Sequence, residues 1–120
     1  MALETKLGLL CVIKRLSKKR INENGGQERV LAEIKIGCFV DHPHLTSLYG
    51  YFTDEQYVYL IMELLPDGNL SEAHPKQTVP TNLACSFVQQ TTKALAYLHV
   101  HSVIHRDLKP ENLFVFGVSD

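Results

Sequence analysis

The tetrapeptide Pro66-Asp67-Gly68-Asn69 divides the chain into two stretches whose hydrophobic periods differ, and no single-class fold accommodates both. Before it, runs rich in Val, Ile, Leu, Tyr and Phe at residues 7–16, 45–52 and 57–65 have the length and composition of strands, the first of them buried. The polar Thr53-Asp54-Glu55-Gln56 between the last two has hairpin-loop length, and Tyr49, Tyr51, Tyr57 and Tyr59 alternate along the pair as packing residues. One helical pattern interrupts this half. After the loop Asn22-Glu23-Asn24-Gly25-Gly26, the residues Val30, Leu31, Ile34, Cys38 and Phe39 recur at helical spacing through residues 27–40, and His42-Pro43 ends the run. Beyond Asn69 the period is helical. His74-Pro75 allows a short or broken helix at residues 70–78, and Leu83, Phe87, Thr91, Ala94, Leu95 and Leu98 stripe a long helix at residues 80–101. The predicted class is α+β, an antiparallel sheet with one helix followed by a helical part.

The densest chemistry lies in the eight residues His105 to Asn112. They follow the apolar pair Val103-Ile104 and precede the apolar run Leu113 to Phe116, which predicts a polar loop held between two short buried strands. In such a loop Asp107 can accept a proton, Lys109 can hold phosphate charge as a point cation, and Asn112 can offer an amide oxygen to a hard metal ion. Together these suggest phosphoryl transfer. Lys14, late in the first apolar run, calls for a carboxylate partner.

Composition narrows the alternatives. A net charge of −1 gives no electrostatic case for nucleic acid or an acidic membrane, and Lys14, Arg15, Lys18, Lys19 and Arg20 read as a solvated basic face. Cys11, Cys38 and Cys85, far apart in apolar surroundings, read as small buried hydrophobes of a reducing compartment, cytoplasmic or nuclear. The pairs His42/His44 and His99/His101 lack further metal ligands. No run of 18 apolar residues occurs and the first ten residues lack a signal-peptide pattern, so a soluble, unprocessed chain is expected. Gly25-Gly26 lacks the G-K-[ST] ending of a Walker phosphate loop.

The segment His105-Arg106-Asp107-Leu108-Lys109-Pro110-Glu111-Asn112 resembles the catalytic loop of protein kinases, matching H-R-D-L-x-x-x-N at every fixed position. Lys109-Pro110-Glu111 resembles the serine/threonine pattern. The phrases His42-Pro43-His44-Leu45, Leu48-Tyr49-Gly50-Tyr51-Phe52 and Val58-Tyr59-Leu60-Ile61-Met62-Glu63 look most like Aurora kinases, with polo-like kinases also similar. The resemblance covers almost the whole chain. It implies a partial protein-kinase fold with a small-lobe part at residues 7–65, a hinge at 66–69 and the start of a helical large lobe at 70–120.

It also implies ATP and magnesium as cofactors, a protein substrate presenting Ser or Thr, and a regulatory protein partner. Lys14 and Glu33, nineteen residues apart, resemble the strand-to-helix ion pair that orients the nucleotide phosphates. Met62 resembles the gatekeeper, and Val12, the Glu63 carbonyl, the Leu65 backbone and Phe114 would surround adenine. Asp107 would accept the substrate proton, Lys109 would steady the γ-phosphate and Asn112 would bind magnesium. Arg106 implies control by activation-loop phosphorylation.

The chain also departs from the pattern. Val12 replaces the alanine of V-A-I-K and Phe114 an adenine-floor leucine, which implies a tighter pocket. Gly37 stands, four residues after Glu33, where the family usually ties the helix to the core with a side chain. The 120 residues hold no G-x-G-x-x-G and no D-F-G, so this chain alone is expected to lack appreciable kinase activity. The competing reading is a kinase-like interaction module without catalysis.

Overall fold

Strand β1 (Ala2–Leu3) pairs with β2 (Leu10–Ser17), and the chain continues through α1 (Lys18–Glu23), α2 (Gln27–Phe39), β3 (Leu48–Thr53) and β4 (Tyr57–Glu63). Helices α3 (Leu70–Ala73) and α4 (Thr81–Val100) and a 3-10 turn at Pro110–Asn112 follow, giving the expected α+β class. This computed structural model describes residues 10–74 and 78–116, with the backbone of 2–3. The expectations for residues 7–9, Pro75 and 117–120 fall outside the described residues. Two compact units result, one from the described residues of 1–41 and 45–64, the other from 42–44 and 65–120.

The first unit is a four-stranded antiparallel sheet in the order β1-β2-β4-β3. Val12 lies opposite Met62, Lys14 opposite Leu60 and Leu16 opposite Val58. Directly opposed residues share a face, so these six form one surface. Ile34 of α2 covers it, building a core with Val58 and Leu60 that Leu16, Ile21, Val30, Leu48 and Met62 surround. Leu60, 1% exposed, is its centre.

Several expectations are corrected here. Strand β2 is not buried throughout: within Leu10–Ser17 only Cys11 is, because α2 covers the Val12, Lys14 and Leu16 face only in part and Ile13 and Arg15 on the other face meet solvent. The residues Asn22 and Glu23, read as loop, close helix α1 instead. Ser17 caps that helix by accepting from the Arg20 backbone N–H at 3.4 Å, and the basic run now supplies good helix formers. The turn narrows to Asn24 to Gly26, with Gly25 at φ 60°. Helix α2 ends before Pro43 as expected, yet of its striped residues only Ile34 is buried; Leu31, Cys38 and Phe39 are exposed. Cys85 is exposed too, which also corrects the reading of three buried cysteines. Cys38 and Cys85 stand near helix ends, where neighbours are fewer.

The β3–β4 hairpin is closed by Asp54. Its Oδ1 accepts from the backbone N–H groups of Gln56 and Tyr57, each at 2.7 Å, and its Oδ2 accepts from the Tyr59 hydroxyl at 2.7 Å. The Phe52 and Tyr59 rings stack at 4.6 Å, and the Arg15 guanidinium lies 4.6 Å from the Tyr57 ring centre. The Tyr59 hydroxyl, then the two backbone donors, hold the Asp54 carboxyl below its ordinary 3.8. A depressed folded value means the interaction is fully present above the ordinary carboxylate range and is lost as pH falls through the lowered value. The urea midpoint of Asp54→Ala should therefore lie below the parent's at neutral pH, and the gap should close on acidification below about pH 4.

In the second unit, Asn69 and Glu72 form a reciprocal capping box at the start of α3: Asn69 Oδ1 accepts from Glu72 N–H at 2.9 Å, and Glu72 Oε2 accepts from Asn69 N–H at 3.2 Å. Ala94 and Leu98 are the buried residues of α4. Phe87, Thr91 and Leu95 of the same stripe line an apolar cavity of about 380 Å³ with Leu108 and Leu113. His42, which belongs to this unit, has its ring 5.1 Å from that of Tyr97, and Tyr97 stands 4.4 Å from His101.

The polar loop is not held between buried strands. Val103 and Ile104 form no strand, and Ile104 is 66% exposed. After the loop a single antiparallel bridge joins Phe114 to Asn69, flanked by Leu70 N–H to Leu113 O at 2.7 Å and Val115 N–H to Gly68 O at 2.9 Å. Of this run only Val115 is buried among the described residues. A two-residue apolar pair is too short for a ladder, and Ser102 at φ 61° turns the chain just before it.

Candidate active site

In the first unit the Lys14 ammonium donates to Glu33 Oε1 at 2.8 Å. The strand delivers Lys14 onto the face that α2 covers, and Glu33 precedes the buried Ile34 on that helix. The partner expected for Lys14 is therefore in contact with it, but the setting differs from a hydrophobic wall: the side chains are 47% and 42% exposed. At that exposure solvent screens the pair, and its effect on stability is small, about 0.2–1 kcal/mol. Its geometry matters more than its energy.

Met62 lies opposite both Val12 and Leu48 in the sheet. At the end of β4, Glu63 donates its backbone N–H to Ser47 O at 3.0 Å, while its Oε2 accepts from Ser47 N–H at 3.1 Å. These contacts fix the strand end.

In the second unit α4 delivers the polar loop. The Val103 N–H returns to Leu98 O at 2.9 Å, and Arg106 adopts φ 65°. The loop then folds on itself. Lys109 Nζ lies 3.2 Å from Asp107 Oδ1, and Asn112 Nδ2 donates to Asp107 Oδ2 at 2.9 Å and to Asp107 O at 2.8 Å. The Asp107 backbone N–H donates to His105 Nδ1 at 3.3 Å, a contact the residue pattern alone did not suggest. The Lys109 ammonium, followed by the Asn112 amide, holds the Asp107 carboxyl below the usual carboxylate range. Asp107 is thus an ionised acceptor at neutral pH.

With Nδ2 committed to Asp107, Asn112 retains Oδ1 as its accepting atom. That oxygen and the Asp107 carboxylate are the donor type a hard divalent cation takes, and magnesium needs only one or two protein oxygens when phosphates supply others. The donor set fits magnesium in kind. No group of three or more His, Cys, Asp or Glu side chains able to hold a metal occurs among the described residues. Leu65 is half-buried and Phe114 exposed. No helix among the described residues is long and apolar enough to cross a membrane.

Known proteins share this pattern. The protein kinase domain family matches residues 1–118. An Aurora kinase of Eremothecium gossypii is 40% identical over 110 residues, covering 90% of this chain and 30% of that protein. Aurora kinase B of Mus musculus is 36% identical over 116 residues, covering 96% of this chain and 34% of that protein. Serine/threonine-protein kinase PLK4 of Danio rerio is 37% identical over 110 residues, covering 90% of this chain and 12% of that protein. The chain therefore spans about a third or less of the length of these curated relatives. A match over nearly every residue, joined to the catalytic-loop motif, shows that the chain belongs to the protein kinase family and is similar to its Aurora members.

Proposed function

We propose that these residues serve ATP-dependent phosphorylation of protein serine and threonine hydroxyls. The observation that carries this reading is the Asp107 carboxylate, kept ionised by Lys109 and oriented by Asn112 within one loop. Asp107 accepts the substrate hydroxyl proton and aims the oxygen; Lys109 steadies the γ-phosphate of ATP. Magnesium, when bound, supplies charge neutralisation to the phosphates and is held by Asn112. Lys14, oriented by Glu33, grips the nucleotide phosphates.

The resemblance to protein kinases supports assigning Val12, Met62, the Glu63 carbonyl, the Leu65 backbone and Phe114 to adenine, with the small-lobe part at 7–65, the hinge at 66–69 and the large-lobe part from 70. The partners are a protein substrate and a regulatory protein. Cys38 and Cys85, free thiols on the exposed surface, support a reducing compartment, cytoplasm or nucleus.

Residues 1–120 themselves contain neither G-x-G-x-x-G nor D-F-G, and we expect no appreciable turnover from them alone. The test is transfer of labelled γ-phosphate to serine and threonine of a generic protein substrate. Magnesium-dependent labelling by the longest polypeptide translated from this gene, with none by residues 1–120, is the expected outcome. Absence of labelling from the longest product would remove the kinase reading. Turnover by residues 1–120 that disappears in Asp107→Asn would overturn the expected inactivity.

A further inference from the structure

Gly37 lies four residues beyond Glu33 on α2, so the two occupy the same face of the helix one turn apart. At Gly37 that helix meets β3. A Cβ added there would stand 2.7 Å from Leu48 Cδ2 and 3.1 Å from Leu48 Cβ. Both separations are shorter than ordinary carbon–carbon contact of about 3.5–4.0 Å. Rotation of Leu48 moves Cδ2 away but not Cβ, which the backbone of β3 carries. That backbone is held opposite Met62, and Leu48 and Met62 both pack on the core that Ile34 enters from α2.

Glycine is the poorest helix former after proline, and Gly37 sits inside the helix with neither a turn nor a positive φ to explain it. Close approach explains it. We propose that Gly37 is a positioning residue: the missing side chain lets α2 seat on Leu48 closely enough to hold Glu33 within 2.8 Å of Lys14. The contact is complementary, because the Leu48 side chain fills the space that a residue at 37 would take. This deepens the kinase reading, and rests on it for its functional meaning: the seat of α2 on β3 sets the grip of Lys14 on phosphate.

The readout is the ammonium itself, so it stands apart from phosphoryl transfer. The full chain is acetylated with a water-soluble N-hydroxysuccinimide ester, without nucleotide, and the rate at Lys14 is followed by peptide mass spectrometry against Lys19. Glu33→Gln, which removes the charge, should raise the Lys14 rate about two- to fivefold. Gly37→Ala should raise it most of the way to that value, and Leu48→Ala, which removes the seat, should also raise it.

The double variant Gly37→Ala/Leu48→Ala should return the rate toward the parent's, since the new methyl occupies space the leucine has left. A Lys14 rate unchanged in folded Gly37→Ala, or a double variant no closer to the parent than the single ones, overturns the proposal. Should Gly37→Ala fail to fold, the comparison of Leu48→Ala with the double variant decides, greater protection in the double supporting the proposal and equal or lesser protection overturning it. A double variant that does not fold also overturns it, because it denies the complementarity.

Discussion

Asp107→Asn is expected to lower phosphate transfer by the longest gene product by about 10²- to 10⁴-fold, the contribution typical of a positioned proton acceptor. The substitution keeps the size of the side chain and an oxygen that can accept from Asn112 Nδ2. What it removes is the negative charge, which attracts Lys109 and receives the proton. Because Asp107 and Lys109 are 65% and 49% exposed, loss of their pair should leave the thermal midpoint nearly unchanged. A large loss of rate without a loss of fold would distinguish a chemical role from a structural one.

The pH profile supplies a second measurement. Lys109 and Asn112 lower the Asp107 value, so the parent's rate should hold through neutral pH and fall only in acid, as Asp107 protonates. In Asp107→Asn that acid limb should vanish from the residual rate. Persistence of the same limb in the variant would assign it to another group.

Leu60→Ala should have the largest effect on stability, about 2–5 kcal/mol by urea denaturation. Leu60 is the most completely buried large side chain among the described residues, and it lies at the meeting of β2, β4 and α2, opposite Lys14 and beneath Ile34. Removing its branched end leaves a cavity that paired strands cannot close by moving together. Phe116→Ala removes a larger side chain, but one that is 73% exposed, and should shift stability by no more than about 0.5 kcal/mol. A comparable loss in the two variants would contradict the placement of the core.

Some of this was legible in the residue pattern and some was not, for identifiable reasons. The stripe from Leu83 to Leu98 marked α4 because a twenty-residue helix repeats its period often enough to be seen. The hairpin was legible from two strand-like runs around a short polar link, and Asp54 accounts for how that link closes. Helix α1 escaped because six residues of KKRINE carry no apolar period, and its signal was the capping serine before them. The strands expected around the polar loop were misread because short apolar runs do not reveal whether a partner strand exists. Exposure of Cys38 and Cys85 was hidden for a related reason: apolar neighbours in sequence are not neighbours in space.

The candidate site divides in the same way. Lys14 invited a carboxylate from the pattern alone, and the structure supplies Glu33, yet the half-exposure of the pair depends on how far α2 extends over the sheet. The seat of Gly37 on the Leu48 side chain is a close approach of α2 to β3, which composition and spacing do not encode.

The left-handed backbone of Arg106 limits how position 106 can drift over generations. At φ 65° a residue with a Cβ is strained, by roughly 1–2 kcal/mol, while glycine, asparagine and aspartate enter that region most readily. The chain keeps arginine there, immediately before Asp107. A lineage released from the need for the guanidinium would be expected to reach Gly or Asn first and to gain stability by doing so. Valine, isoleucine and threonine, barred by their branched Cβ, should be absent from both kinds of lineage.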